Sequence, residues 1–282
     1  MIYGLGAALG WGLADFGAAV VGRRVGSFAT VVLAQIAGFA GIATVYVLVR
    51  PAWTGSIADV ALLGCNAVFA TSAYLLLYRG LELGPVALVS PIAAAFAVIT
   101  IAFAIVFLGE SLHGFVLAGA LVTVLGVVLT ATDTRKLAGG ARMSQAGVPY
   151  ALAASFLFGV ATLVMGYTAQ RIGWVTTVFV GRTFSVTIMI SAAAVRRPEL
   201  DRDDRTGILG AVAVGLVDIA GISLYSRGVE IGLVSIVTAA SATFTLIPVV
   251  AGIWLLRERP APSQLLGIVV VVGGLLLLGL GG

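Results

Sequence analysis

The sequence predicts an all-α polytopic membrane protein: ten transmembrane helices arranged as two five-helix inverted repeats. Three observations carry that reading. Of the 282 residues, 60% belong to the apolar set AVILMFWYC and 10% are charged, with a mean hydropathy of +1.14. A soluble domain carries about 25% charge and about 45–50% apolar residues, and it must cover its outside with polar side chains. The surplus therefore faces lipid. Second, the apolar residues fall into ten continuous runs, each close to the roughly 20 residues that a spanning helix needs. Third, the last five runs copy the first five.

In order, the runs are 2–21, 27–49, 57–78, 85–108, 112–131, 147–169, 174–195, 206–226, 233–256 and 262–280. None shows the alternation of a lipid-facing strand, and a lone segment in hydrocarbon pairs its backbone groups by forming a helix. The first run lacks the positively charged n-region of a cleavable leader, so it reads as a span that Arg23 and Arg24 bring to an end. The connections that follow are GRRVGS, RPAWTGS, RGLELG, the turn at Glu110, the longest stretch at 132–146, QRIG, RRPELDRDDR, RGVEIG and the turn at Arg257, Glu258 and Arg259. They leave no room for a separate soluble domain.

The repeat is legible residue by residue. YRGLELGPVALV, ending at Val89, returns as YSRGVEIGLVSIV, ending at Val237. A shift of 148 carries Arg79 to Arg227, Gly80 to Gly228, Glu82 to Glu230 and Gly84 to Gly232. It also carries Phe96 to Phe244, Leu108 to Leu256, Glu110 to Glu258, Gly119 to Gly267 and Gly126 to Gly274. Earlier in each half a shift of 147 pairs Gly12 with Gly159, Arg24 with Arg171 and Gly26 with Gly173. The first repeat therefore spans 1–131, a linker 132–146, and the second repeat 147–282. Five crossings per copy is an odd number, so the second copy enters from the opposite face.

Connections after odd-numbered spans hold twelve Lys and Arg residues, from Arg23 to Arg259, against Arg50, Arg171 and Arg227 on the other side. That bias predicts cytoplasmic odd loops and both termini outside. The net charge of +4 forms no basic face, so the basic residues read as topology signals and not as a nucleic-acid surface. One cysteine (Cys65) and one histidine (His113) fall short of an ordinary zinc site, and no metal or cofactor is expected. No phosphate-binding loop surrounds the sole lysine, Lys136. Gly4, Gly6 and Gly10 follow no strand, and Gly109-Glu-Ser111 lacks the last glycine of a nucleophile elbow. The sequence is therefore not read as an enzyme.

FLGESLHGFVLAGALVTVLGVVL and LLRERPAPSQLLGIVVVVGGLLLL share a pattern that resembles the EamA domain. Two such domains in tandem are similar to the ten-helix members of the drug/metabolite transporter superfamily. The resemblance implies five-plus-five inverted helices around a central cavity, peripheral fifth and tenth helices, a cytoplasmic-membrane location and export of small metabolites. Two features depart from the family. Its proline about 13 residues before the motif glutamate is replaced by Ala97 and Thr245, with Pro91 and Pro248 nearby. Its usual cytoplasmic termini run against the charge bias.

Three ionisable residues lie inside spans: Asp15, Arg182 and Asp218. A charge at mid-membrane costs about 3 kcal/mol on insertion scales, so each must face a partner or water. Each aspartate reads either as a substrate contact or proton-coupling group, or as half of a structural pair of Arg182 with Asp218 or Asp15. Glu110 and Glu258 are placed to cap the helix that follows them. Glu82 and Glu230 are placed to pair with the arginines three residues before them. His113 is expected to be solvated. Ser90, Thr238, Ser241, Thr243 and Thr245 offer hydroxyls in spans four and nine, either to a cavity or to neighbouring helices. Trp11, Tyr74, Phe158, Tyr167 and Tyr225 could wall a cavity; for the three tyrosines an interfacial belt is the alternative. The candidate binding or coupling set is thus Trp11, Asp15, Tyr74, Ser90, Phe158, Arg182, Asp218, Thr238 and Ser241. The partners expected are a small-molecule substrate, the bilayer and the proton. A lipid-carrier flippase of the same fold is the first rival. A membrane prenyltransferase is the second, but its only carboxylate cluster, Asp201, Asp203 and Asp204, is interleaved with arginines and reads as a solvated charge run.

Overall fold

In the computed structural model, which describes residues 1–83, 89, 92–132, 134, 145–196, 204–247, 250 and 261–281, every regular element is helical. The helices of the first half are α1 (Ile2–Val25), α2 (Ser27–Val49), α3 (Ile57–Leu83), α4 (Phe96–Leu108) and α5 (Gly114–Ala131). Those of the second are α6 (Val148–Ile172), α7 (Trp174–Arg196), α8 (Arg205–Ile231), α9 (Val234–Ser241) and α10 (Pro262–Gly281). Seven stretches are long and apolar enough to cross a membrane, and three shorter apolar helices accompany them. The chain is a multi-pass membrane protein.

Several helices run past the charges that the sequence suggested would stop them. α1 continues through Arg23 and Arg24 to Val25, α3 takes in Arg79 and Gly80, α6 reaches Ile172 past Arg171, and α8 takes in Arg227 and Glu230. The expected connections RGLELG, QRIG and RGVEIG are therefore largely helical. In the last turns of α1 and α6 a long cationic side chain reaches the interface while its stem stays in the apolar layer, and it meets the negative end of the helix. The stop comes instead from glycine. Gly26 (φ 86°) and Gly173 (φ 79°) adopt a backbone conformation that L side chains rarely take, and they turn the chain from α1 into α2 and from α6 into α7.

The starts of α3 and α8 are capped in related ways. Ser56 and Asp59 form a capping box: the Ser56 N–H donates to Asp59 Oδ2 (2.9 Å), and the Asp59 N–H donates to Ser56 Oγ (3.2 Å). Asp204 accepts from the Gly207 N–H at 2.9 Å. Each aspartate also holds an arginine of the other half. Arg171 meets Asp59 at 3.1 Å, and Arg24 meets Asp204 at 3.2 Å. Asp204 is thus a cap and an ion-pair partner, not a freely solvated charge; Asp201 and Asp203 lie outside the described residues.

Spans four and nine each carry serine, threonine and proline, which can loosen a helical backbone. In both, the described part is interrupted: a turn at Ala95 precedes α4, and α9 gives way to a 3₁₀ turn at Ala242–Thr245. The hydroxyls of Thr243 and Thr245 bond back to the carbonyls of Ala240 (2.7 Å) and Ala242 (3.4 Å), which competes with the regular ladder. Pro91 and Pro248 lie outside the described residues.

Small residues set the packing, as expected where lipid replaces water and close van der Waals fit replaces hydrophobic exclusion. α1 and α8 run antiparallel, with Gly10 against Gly221, Gly17 against Val214 and Gly6 against Leu224. α5 and α10 form an antiparallel pair with Gly119 against Leu278, Thr123 against Gly274, Gly126 against Val271 and Thr130 against Gly267. The contacts recur with the halves exchanged. Gly12 lies on Phe244 and Ile247, while Gly159 lies on Phe96 and Ile99. Gly80 touches Val89 and Tyr150, while Gly228 touches Val237 and Tyr3. Helix α1 packs on α8 and α9, and its sequence counterpart α6 packs on α3 and α4.

Candidate functional site

The three charges at mid-span come together with one amide. Arg182, on α7 and buried, donates from Nη2 to Asp218 Oδ2 of α8 at 2.5 Å and from Nη1 to Gln35 Oε1 of α2 at 2.5 Å. Of the two pairings open to Arg182, Asp218 is the one formed. Gln35 escaped the sequence reading because it is uncharged. Its signal was its place: a shift of 147 carries Gln35 onto Arg182, so the two are equivalent positions that touch.

Asp15 makes a different arrangement. It sits one turn after Trp11 on the side of α1 that meets α8 and α9, while Leu9 and Leu13 on the other side are exposed. Its side chain is accessible rather than packed away, and it is close enough to Asp218 for the two carboxylates to interact electrostatically. The cluster therefore sets two carboxylates against one guanidinium. A surplus negative charge at this depth is unfavourable unless water, a proton or a positively charged group meets it.

Trp11 and Phe158 take part in a row of rings that crosses between the halves. Centroids follow one another from Tyr225 to Trp11 (5.4 Å), Phe244 (6.2 Å), Phe96 (6.5 Å), Phe158 (6.3 Å) and Tyr74 (4.9 Å). These separations suit tilted and edge-to-face contacts. Phe96 and Phe244, at the centre, were visible in the sequence as a repeated pair but not as site residues. Tyr74 is half exposed, whereas Tyr225 is fully buried, with its hydroxyl 2.8 Å from Thr238 Oγ1. An interfacial belt is thus the wrong description of Tyr225. Tyr167 stands apart from the row, exposed near the end of α6 beneath the Arg171 guanidinium.

Thr238 and Ser241 are both buried. Thr238 is engaged by Tyr225, and Ser241 Oγ donates to the Thr238 carbonyl at 3.0 Å. Through Tyr225, Thr238 lies behind Trp11. Ser90 lies outside the described residues. A hydroxyl cluster not foreseen joins Thr100 and Thr162 at 2.6 Å, with both also on the Gly159 carbonyl.

Glu110 does cap a helix, but not the one that follows it. Its carboxylate accepts from the N–H groups of Val234 (2.5 Å) and Ser235 (3.0 Å), the first turn of α9 in the other half. The next helix, α5, starts at an exposed His113 that makes no side-chain cap. The reason is geometric: α4 and α9 are in contact, so the corner after α4 reaches the orphan donors of α9. Of the expected arginine–glutamate pairs, Arg227 with Glu230 forms at 2.5 Å. The Glu82 side chain and Glu258 lie outside the described residues.

Apolar helices, exchanged contacts between two halves and a charged cluster within the spans define a polytopic membrane protein. The chain belongs to the EamA-like transporter family, which matches it over residues 1–132 and 145–280. No curated protein matches it. Among solved structures, one described as a crystal structure of a protein aligns over 99% of this chain and 97% of its own, with a TM-score of 0.79 and 20% identity. At that identity the likeness speaks to the fold.

Proposed function

We propose that this EamA-family transporter is a secondary carrier of a small metabolite or drug-like solute. Two five-helix units inserted in opposite senses rock about a midplane site and export the solute across the cytoplasmic membrane. The observation that carries the reading is the exchange of contacts at constant shift. Equivalent residues meet each other at Gln35 with Arg182 and at Phe96 with Phe244, and α5 pairs with α10 through mutually exchanged partners. Two copies of one unit facing each other about an axis in the membrane plane produce that pattern, and such a pair can swap conformations to open either side.

In this reading Asp15, Trp11, Asp218 and Arg182 contact solute or coupling ion. The ring row from Tyr225 to Tyr74 forms the apolar part of the path, and Thr238 and Ser241 hold its wall. The surplus carboxylate supports proton coupling, because net movement needs a second gradient or unequal binding at the two faces. The charge bias places both termini outside. A thermal-shift screen of amino acids, nucleosides and sugars selects the solute, and proteoliposome flux under an imposed pH gradient tests coupling. Asp15→Asn is expected to keep exchange down a concentration gradient and to lose pH-driven accumulation. Unchanged pH-driven flux in both Asp15→Asn and Asp218→Asn would remove proton coupling from the account.

A further inference from the structure

A cleft of about 580 Å³ lies away from the midplane cluster, on the outward side of α8. Its floor is Ile42 and Ile219, both buried, and its rim includes Leu216, Ala220 and Leu224, all exposed. Asp218 and Tyr225, which meet α7, α1 and α9, lie on the opposite side of the same helix. The cleft therefore opens sideways into the bilayer.

Its polarity changes along its length. From Leu216 to Arg227 the wall runs twelve residues of α8, a rise of about 16.5 Å at 1.5 Å per step. That is the depth of one leaflet, half of a hydrocarbon core roughly 30 Å thick. The deep part is aliphatic. The other end is lined by Tyr3, Trp174 and Arg227. Tyr3 stands in the first turn of α1, Trp174 begins α7 and Arg227 lies one turn from the end of α8, so this end lies at the headgroup level, where such side chains settle. Arg227 is held by Glu230 at 2.5 Å, and the Glu230 carboxylate lies beside Gly173, the neighbour of Trp174.

We infer that this cleft is a binding site for a phospholipid with a phosphoethanolamine headgroup. One acyl chain lies along α8 between α1 and α2, its phosphate meets Arg227 and its ammonium meets Glu230. A fixed pair of opposite charges matches a headgroup that also carries both signs and can donate hydrogen bonds. A phosphoglycerol headgroup would set its phosphate against Glu230 with no cation of its own, and the methyl groups of phosphocholine remove the N–H donors.

Fluorescence quenching tests this directly, because Trp174 lines the site. Phenylalanine at Trp11, Trp53 and Trp254 leaves Trp174 as the single emitter. This protein is reconstituted in phosphatidylcholine vesicles containing increasing fractions of acyl-brominated phosphatidylethanolamine, phosphatidylglycerol or phosphatidylcholine. The ethanolamine lipid is expected to quench with an apparent affinity about threefold above the other two, a ratio within the range of partly exposed ionic contacts. Glu230→Gln and Arg227→Gln, at accessible positions, should each bring the three lipids to the same curve. Ala220→Phe, which fills the groove from its rim, should reduce quenching by all of them. Equal curves for the three headgroups in the otherwise unsubstituted single-tryptophan protein, a preference for phosphatidylglycerol, or quenching unaffected by Ala220→Phe would each overturn the assignment.

Discussion

Glu110 joins the corner between α4 and α5 to the start of α9, and replacing it by alanine withdraws the acceptor from two helix N–H groups at once. Hydrogen bonds to a charged group contribute about 1.5–3 kcal/mol each, and a buried donor left without a partner costs about 1–3 kcal/mol. The negative charge at a helix N-terminus adds about 0.3–1 kcal/mol. Part of the loss is recovered if water reaches the emptied site, so the expected destabilisation of Glu110→Ala is about 3 kcal/mol. Glutamine keeps one acceptor oxygen without the charge and should lose about half as much. His113→Ala, at the uncapped start of α5, should change stability by less than about 0.5 kcal/mol. Reversible unfolding of the purified protein in mixed micelles, titrated with denaturing detergent, measures all three. A Glu110→Ala protein within about 0.5 kcal/mol of the parent, or a larger loss for His113→Ala, would refute the crossed cap.

Three further outcomes follow from the packing and the charged cluster. Arg182→Met should destabilise the fold by about 2 kcal/mol, less than the cost of breaking a fully buried pair, because Asp218 loses its cation but keeps some access to water; Arg182→Met with Asp218→Leu should cost less than the sum of the two single changes, as a double-mutant cycle would report. At Gly126 a side chain would begin 2.6 Å from the Val271 nitrogen, so Gly126→Leu should separate α5 from α10, with a loss of about 2 kcal/mol in the same unfolding assay. Phe96→Ala opens the middle of the ring row and should lower stability by about 3 kcal/mol or more, whereas Tyr167→Ala, outside the row, should leave it nearly unchanged.

Helix number and the equivalence of the halves were legible because lipid imposes a composition, and because Gly80, Phe96, Gly119 and Gly126 return at fixed spacing. Helix ends were less legible. Arg24, Arg79, Arg171 and Arg227 read as breaks, yet the helices run through all four; Arg24 and Arg171 stand in last turns, where a cation is favourable, and Gly26 and Gly173 set the ends of α1 and α6. Within the charged cluster, sequence depth singled out Asp15, Arg182 and Asp218, since a charge in hydrocarbon needs a reason. It could not choose between the two partners for Arg182, nor find Gln35, because both depend on which faces α2, α7 and α8 turn to each other. Glu110 shows the same limit. Its capping role follows from chemistry, but its target in α9 lies more than a hundred residues away and is set by the contact between α4 and α9.

The proposed carrier requires two halves that enter the bilayer in opposite senses, and site-directed labelling reads that sense. In a Cys65→Ser background, Arg23→Cys and Gln170→Cys place single thiols at exposed equivalent positions near the ends of α1 and α6. In sealed cells a membrane-impermeant maleimide should label one of them, and the other should react only after the membrane is opened. Labelling of both thiols from the same side would contradict the opposed insertion and the alternating carrier built on it.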